Sequence, residues 1–513
     1  MENRVENASG MVVVERRKKA YENAFWILLI IVISIATNWS ERFRGVYLDD
    51  YGLWMSMKND GFAAFALNLG ANKIRPVAYA VMYIFGKLAE PYPEIMGFEV
   101  LLLHGLLAVM VFLMSKKMTQ NSLVAFALSM AYQASRFAYY NATQYLGIME
   151  DLGMLFTTLM LYSLYSGLLE KNMRPWATSL WYVLAMFSHE RYMLLFPVLL
   201  YAAFFVKDRK QKKQMIVQSV LLFAGMVVLR AILFGNRLFD GTGGTDIKQT
   251  FSLMQAFAFA VNQVAYLFGW NAGEKYLNGY TQEEYSQNLV VFTIIMDICV
   301  LCVLIVAIVI LCFSKEKEVR KEFFQISGLF LIYIAMNIGS SSTTIRLELR
   351  WIYVSFLAML LFLAYLYSLI SSLASSKKCI TQLLSVVVCA YAALSCFNDA
   401  IIRKEWEWIY FYYDKNSADS LWDETYRKYG EKLWEKEILI VGNVENEERQ
   451  VREWLLAYPD GENAMEMKIQ AVENISDVPA VSTEKSLILL HGNSRFYRDI
   501  TEFQSLIGES LGS

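Results

Sequence analysis

The sequence predicts an all-α polytopic membrane protein with a small α/β domain at its C-terminal end, and two observations carry that expectation. The first is composition: 56% of the 513 residues are hydrophobic and 19% are charged, whereas a soluble chain carries about a quarter charged residues. The second is distribution. Apolar runs able to cross ~30 Å of hydrocarbon recur from residue 23 to residue 396, and beyond them the pattern turns to short strands. The 15% aromatic share fits long apolar helices with rings at the interface. A formal charge of −2 offers nothing to a polyanion, so nucleic acid is not an expected partner.

Taken in order, residues 1–22 form a polar, basic tail ending in Arg16-Arg17-Lys18-Lys19. The apolar run that follows leads into Asn38-Trp39-Ser40-Glu41-Arg42, with no small-residue cleavage site, so a retained anchor is expected. Spans are expected near 23–39, 97–115, 120–134, 146–169, 175–188, 190–206, 215–234, 288–313, 323–340, 350–374 and 379–396. That makes about eleven crossings in a transmembrane domain over 23–400, with a long outer loop at 40–96. The positive-inside rule places Arg16–Lys19, Lys116-Lys117, Lys171/Arg174, Lys207–Lys213, Lys315–Lys321 and Lys377-Lys378 on the cytoplasmic side. These clusters agree only if 76–90 and 251–269 do not cross, so both are expected as interfacial or re-entrant helices on the outer face. The N-terminus is then cytoplasmic, the C-terminus extracytoplasmic, and the location the plasma membrane.

Residues 401–513 make up the outer domain. Glu437–Gly442 and Ser486–His491 read as buried strands, and Glu445–Tyr458 between them reads as an amphipathic helix. Gly442 lacks the glycine spacing of a nucleotide-binding turn, and the Gly-rich Asp240–Thr245 lacks the lysine of a phosphate loop. The six cysteines all lie in or beside apolar segments and read as small hydrophobes rather than as a disulfide or zinc framework.

The unusual polar residues collect on the outer face. Asp49-Asp50 follows the first span among Tyr47, Tyr51 and Trp54. Two adjacent carboxylates raise one another's pKa, and one of them can serve as a general base toward an acceptor hydroxyl. The bland alternative is a solvated loop pair or helix cap. Arg75, beside Lys73, either snorkels or meets a phosphate. Glu150-Asp151 lies inside an apolar run, where acids are functional candidates unless they stand a turn above the boundary. Ser188-His189-Glu190-Arg191-Tyr192 is the most concentrated polar turn, and Met193 removes it from the zinc-protease pattern. Arg346 and Arg350 flank Glu348 as either a local ion-pair cluster or a phosphate clamp.

The order of these features resembles the GT-C superfamily of polytopic glycosyltransferases, in its bacterial protein O-mannosyltransferase-like and TMTC-like branch. The resemblance covers about residues 20–400 and rests on Asp49-Asp50 in the first outer loop and Arg75-Pro76 closing it. It rests further on Gly97-Phe-Glu-Val-Leu-Leu-Leu-His104, on Tyr145-Leu-Gly-Ile-Met-Glu-Asp151, and on the Ser188–Arg191 turn leading to Pro197. It implies a GT-C-like fold and inverting transfer of a sugar from a polyprenyl-phosphate donor, drawn from the lipid bilayer, to an extracytoplasmic acceptor. Of the pair Asp49 and Asp50, the resemblance favours Asp49 as the base with Asp50 its neighbour, and Arg75, Glu150, Asp151, His189, Glu190, Arg191, Arg346 and Arg350 would bind substrate. The resemblance names no certain cofactor, although some members use a divalent metal. The alternatives are a flippase for lipid-linked sugars and a non-catalytic membrane scaffold. A flippase predicts internal repeats and polar residues spread through several spans, whereas here they cluster on one face.

Overall fold

The computed structural model describes residues 2–90, 92–237, 251–270, 286–314, 316–344, 347–374, 378–404, 412–442, 446–479, 484–491 and 495–503, with backbone alone before residue 20. The chain is mostly helical. Among the described residues, eight helices are long and apolar enough to cross a membrane: Ala20–Glu41, Glu94–Thr119, Gly147–Leu169, Arg209–Phe234, Gln287–Phe313, Lys317–Ser342, Leu349–Leu373 and Lys378–Arg403. The sequence suggested about eleven crossings, and three of those runs form helices shorter than membrane length. The runs at 120–134, 175–188 and 190–206 form helices of 12, 14 and 10 residues, over Ser122–Gln133, Pro175–Ser188 and Phe196–Phe205. At 1.5 Å per residue none of them reaches ~30 Å. The two segments assigned to the outer face are short as well, as helices Pro76–Ala89 and Leu253–Leu267.

Local chemistry fixes where the helices begin. Pro76 and Pro175 occupy first-turn positions, where the missing N–H costs nothing. The side chains of Asn121, Asp208, Ser252 and Ser286 accept from first-turn N–H groups. Leu349–Leu373 is the most deeply enclosed of the long helices and forms the axis of the bundle. Tyr353 on that axis stacks on Tyr132, and its hydroxyl donates to the Tyr132 carbonyl at 2.8 Å.

Lys171, Lys207 and Lys321 come from three separate connections yet line one cavity of about 410 Å³, together with Asp208, Glu318 and Glu322. Lys171, Lys207 and Lys321 therefore share one end of the bundle.

The C-terminal domain packs on the opposite end. Its four-stranded sheet has the order β2-β1-β3-β4, with β1 at Glu437–Gly442, β2 at Ile469–Val472, β3 at Ser486–His491 and β4 at Tyr497–Asp499. β1 pairs parallel to β2 and β3, and β4 pairs antiparallel to β3. The Glu447–Leu456 helix fills the expected position between the strands. Both expected strands are present in place, and β2 and β4 complete the sheet.

Contacts tie this domain to the 40–96 loop. Asp419 accepts from the Gly45 N–H at 2.9 Å and from the Arg44 N–H, while Arg44 pairs with Asp423 at 2.8 Å. Gly45 is required here, because a Cβ would stand 2.4 Å from the Ala418 carbonyl oxygen. Trp54 Nε1 donates to the Ala457 carbonyl at 2.9 Å, and Lys58 Nζ donates to the Tyr458 carbonyl at 3.1 Å. The loop carrying Asp49-Asp50 and the C-terminal domain thus occupy the same end of the molecule.

Candidate functional site

The two aspartates part company. Asp50 is buried at the start of the Asp49–Asn59 helix. Its carboxylate accepts from the backbone N–H groups of Tyr145 at 2.7 Å and Leu146 at 2.9 Å. Burial pushes the Asp50 carboxyl up to about 7, against the two N–H donors that hold it down. Asp50 is therefore an anchor, pinning the first outer loop to the entry of the Gly147–Leu169 helix.

Asp49 is exposed and makes no hydrogen bond or ion pair among the described residues. It lines a cavity of about 610 Å³ with Lys73, Arg75, Tyr140, His189 and Arg350. The residue before it, Leu48, has φ 49 and ψ −131, a backbone conformation costly for any side chain but glycine. The Asp50 anchor on one side, with the Tyr47 hydroxyl donating to the Thr143 carbonyl at 2.8 Å on the other, holds that strained corner in place.

Behind the cavity lies a buried chain of ion pairs. The Arg75 guanidinium forks onto Glu190, with Nε to Oε2 at 2.6 Å and Nη2 to Oε1 at 2.7 Å. Arg191 Nη2 donates to Glu150 Oε2 at 2.6 Å and to the Tyr192 hydroxyl at 2.9 Å. Arg350 pairs with Glu348 and lies over the Tyr140 ring at 3.8 Å, with its Nε 3.8 Å from Glu150 Oε1. His189 sits between these pairs, its Nε2 3.4 Å from Arg75 Nη2 and 3.7 Å from Glu150 Oε1. Glu150, Glu190 and Glu348 each have an arginine against them, as buried charge demands.

The structure thus brings together Asp49, Arg75, Glu150, His189, Glu190, Arg191 and Arg350 from five separate stretches of chain. Asp151 stands apart: it is fully buried and accepts from Asn141 Nδ2 at 2.5 Å, away from the cavity lining. Arg346 lies outside the described residues.

Lys73 is the member that sequence reasoning left beside the site rather than in it. Its ammonium makes no hydrogen bond or ion pair among the described residues, although it lines the cavity. Burial, and then the nearby Arg75, bring its pKa down to about 8. Its spacing of two from Arg75 was the available signal. Nothing in sequence, however, reveals that the arginines are already engaged by acids and that the lysine is not.

Among the described residues no group of three or more His, Cys, Asp and Glu side chains forms a metal cradle. The cations around Asp49 oppose a divalent ion there, so the donor set does not fit a metal.

Comparison with protein-family models and with curated proteins gives no match. The geometry alone bears on function.

Proposed function

We propose that this protein is a membrane glycosyltransferase of GT-C type, transferring a sugar from a polyprenyl-phosphate donor to an acceptor hydroxyl with inversion at the anomeric carbon. One observation carries this reading: among the described residues, the Asp49 carboxylate and the Lys73 ammonium stand unengaged in a cavity whose other charges are neutralised in pairs. The eight membrane-length helices supply a route for a lipid-borne donor.

Asp49 takes the proton of the acceptor hydroxyl as that oxygen bonds to the anomeric carbon. The carbon–oxygen bond to phosphate breaks on the opposite face, and the electron pair leaves with the phosphate. Lys73, backed by Arg350, meets the developing negative charge. Phosphate departs readily without protonation, so the site needs a base and a cation and no general acid. The C-terminal domain, clamped to the Asp49–Asn59 helix through Trp54 and Lys58, stands where an acceptor approaches. In this orientation the basic end of the bundle is cytoplasmic and the cavity extracytoplasmic.

The test is sugar transfer from purified polyprenyl-phosphate sugars to extracted envelope acceptors. Wild-type protein transfers, and Asp49→Asn does not. Transfer by Asp49→Asn at the wild-type rate would sink the assignment, as would failure of wild type with every donor tried.

A further inference from the structure

The C-terminal domain holds a second polar cluster that sugar transfer leaves without a role. The chain leaves β1 through the Glu447–Leu456 helix to β2 on one flank, then crosses back to β3 on the other. Because the two connections diverge, the gap between the C-terminal ends of β1 and β3 is a topological switch point, where open α/β sheets place their ligands. Gly442 and His491 are the last paired residues of these strands. Gly442 has φ 142, and a Cβ there would stand 2.2 Å from the His491 carbonyl oxygen. Only glycine lets the strands close at this point.

His491 Nδ1 lies 2.7 Å from Oε1 of Glu447, the first residue of the helix after β1. The Tyr497 hydroxyl donates to the other carboxylate oxygen at 2.6 Å, and the Tyr497 ring stacks on the imidazole at 4.1 Å. A carboxylate can only accept, so Nδ1 carries the proton and Nε2 presents its lone pair. Ser417 Oγ, from the Tyr412–Glu424 helix, stands 3.4 Å from that Nε2 and donates to the Arg495 carbonyl at 2.8 Å. Nucleophile, base and orienting carboxylate thus stand in the order that acyl transfer requires, with the looser spacing common before substrate binds.

We propose that Ser417, His491 and Glu447 form a second active site, which hydrolyses esters of short acyl groups. Nε2 of His491 takes the Ser417 proton as Oγ bonds to the carbonyl carbon. The bond from that carbon to the alcohol oxygen breaks, and the alcohol leaves with the proton. Water, deprotonated by the same nitrogen, attacks the acyl-serine, releases the carboxylic acid and restores the hydroxyl. Glu447 positions the ring and stabilises the imidazolium. Burial sets the size preference: Ser417 is 5% exposed and the His491 side chain 12%, so the smallest acyl esters are the expected substrates. Esters ask least of a hydroxyl that starts 3.4 Å from its base, since an alcohol departs more easily than an amine.

The experiment uses the full chain in detergent, an alkyl fluorophosphonate probe located by peptide mass spectrometry, and p-nitrophenyl esters of two to eight carbons. Ser417 of wild type is expected to carry the adduct, and acetate hydrolysis to exceed octanoate hydrolysis. Ser417→Ala and His491→Gln are expected to lower acetate hydrolysis by at least about 100-fold. An adduct absent from Ser417, or one forming equally fast in His491→Gln, overturns the proposal. The wild-type adduct needs no variant, so a misfolded variant leaves the test decisive.

Discussion

Replacing Asp49 and Asp50 one at a time separates chemistry from anchoring. Asp50→Ala leaves the buried N–H groups of Tyr145 and Leu146 without acceptors. Each orphan costs about 1–3 kcal/mol, so the variant should lose about 2–6 kcal/mol out of a typical 5–15 kcal/mol. Asp50→Asn keeps one acceptor and turns an amide N–H toward the other donor, and should lose about 1–3 kcal/mol. Asp49→Asn touches no hydrogen bond and should unfold like wild type, yet lose about 10²- to 10⁴-fold in transfer rate as the base disappears. The assays are thermal unfolding in detergent and sugar transfer on the same preparations. The acidity of Asp50 adds a further readout. Burial pushes its carboxyl up to about 7 in the folded protein, against about 3.9 unfolded. Between those values the folded state holds a proton that the unfolded state has lost, so stability should fall as pH rises across this window. Asp50→Asn, with nothing to ionise, should flatten the slope. Wild-type unfolding of Asp50→Ala, or wild-type transfer by Asp49→Asn, would refute the division of labour.

The remaining predictions use the same preparations. Lys73 is cationic below about pH 8 and neutral above it, so transfer should fall as pH rises through that value, and Lys73→Arg should move the limb upward; an unchanged profile in Lys73→Arg would exclude the lysine. Glu190→Ala leaves the Arg75 guanidinium buried without its acid and should cost about 3–5 kcal/mol, whereas Arg75→Met with Glu190→Leu should recover most of that in thermal unfolding. Trp54→Phe removes the bond to the Ala457 carbonyl and should loosen the clamp by about 1 kcal/mol, read as faster amide exchange in residues 447–458. Asp151→Asn keeps an acceptor for Asn141 and lies off the cavity, so its transfer rate should stay within about threefold of wild type, measured in the same assay.

Much of the architecture was legible because hydrocarbon imposes a length. Every helix long enough to span announces itself as an apolar run, and β1 and β3 stood out as short apolar runs in a polar region. Helix lengths were harder to read. Hydropathy treats Ser122–Gln133, Pro175–Ser188 and Phe196–Phe205 like their longer neighbours, and the structure shows them to be shorter. In the site, single residues were legible and pairings were not. An acid inside an apolar run flags Glu150, and a dense polar turn flags His189, Glu190 and Arg191. That Glu190 reaches Arg75 while Glu150 reaches Arg191 depends on helix packing across more than a hundred residues in the first case. Adjacent identical aspartates gave no sign of which faces the cavity. The helix beginning at Asp49 decides it, because successive residues on a helix point about 100° apart.

That pairing explains why Lys73, unpaired among the described residues, matters so much to the proposed reaction. Arg75 with Glu190, Arg191 with Glu150, and Arg350 with Glu348 contribute little net charge, so the field in the cavity is set chiefly by Asp49 and Lys73. Before transfer the donor phosphodiester carries one negative charge and Asp49 another. Afterwards Asp49 is protonated and the phosphate monoester carries two. The total is unchanged, but one unit of negative charge has moved from the carboxylate to the group facing Lys73. A fixed cation on the receiving side stabilises the transition state more than the bound ground state, which is the condition for raising kcat rather than merely lowering KM. Lys73→Met should therefore lower kcat, by roughly 10- to 150-fold if the lost interaction is worth about 1.5–3 kcal/mol. A variant with higher KM and wild-type kcat would show that Lys73 only tethers the donor. The mobile charge would then have to be met by Arg350, which lines the cavity over the Tyr140 ring.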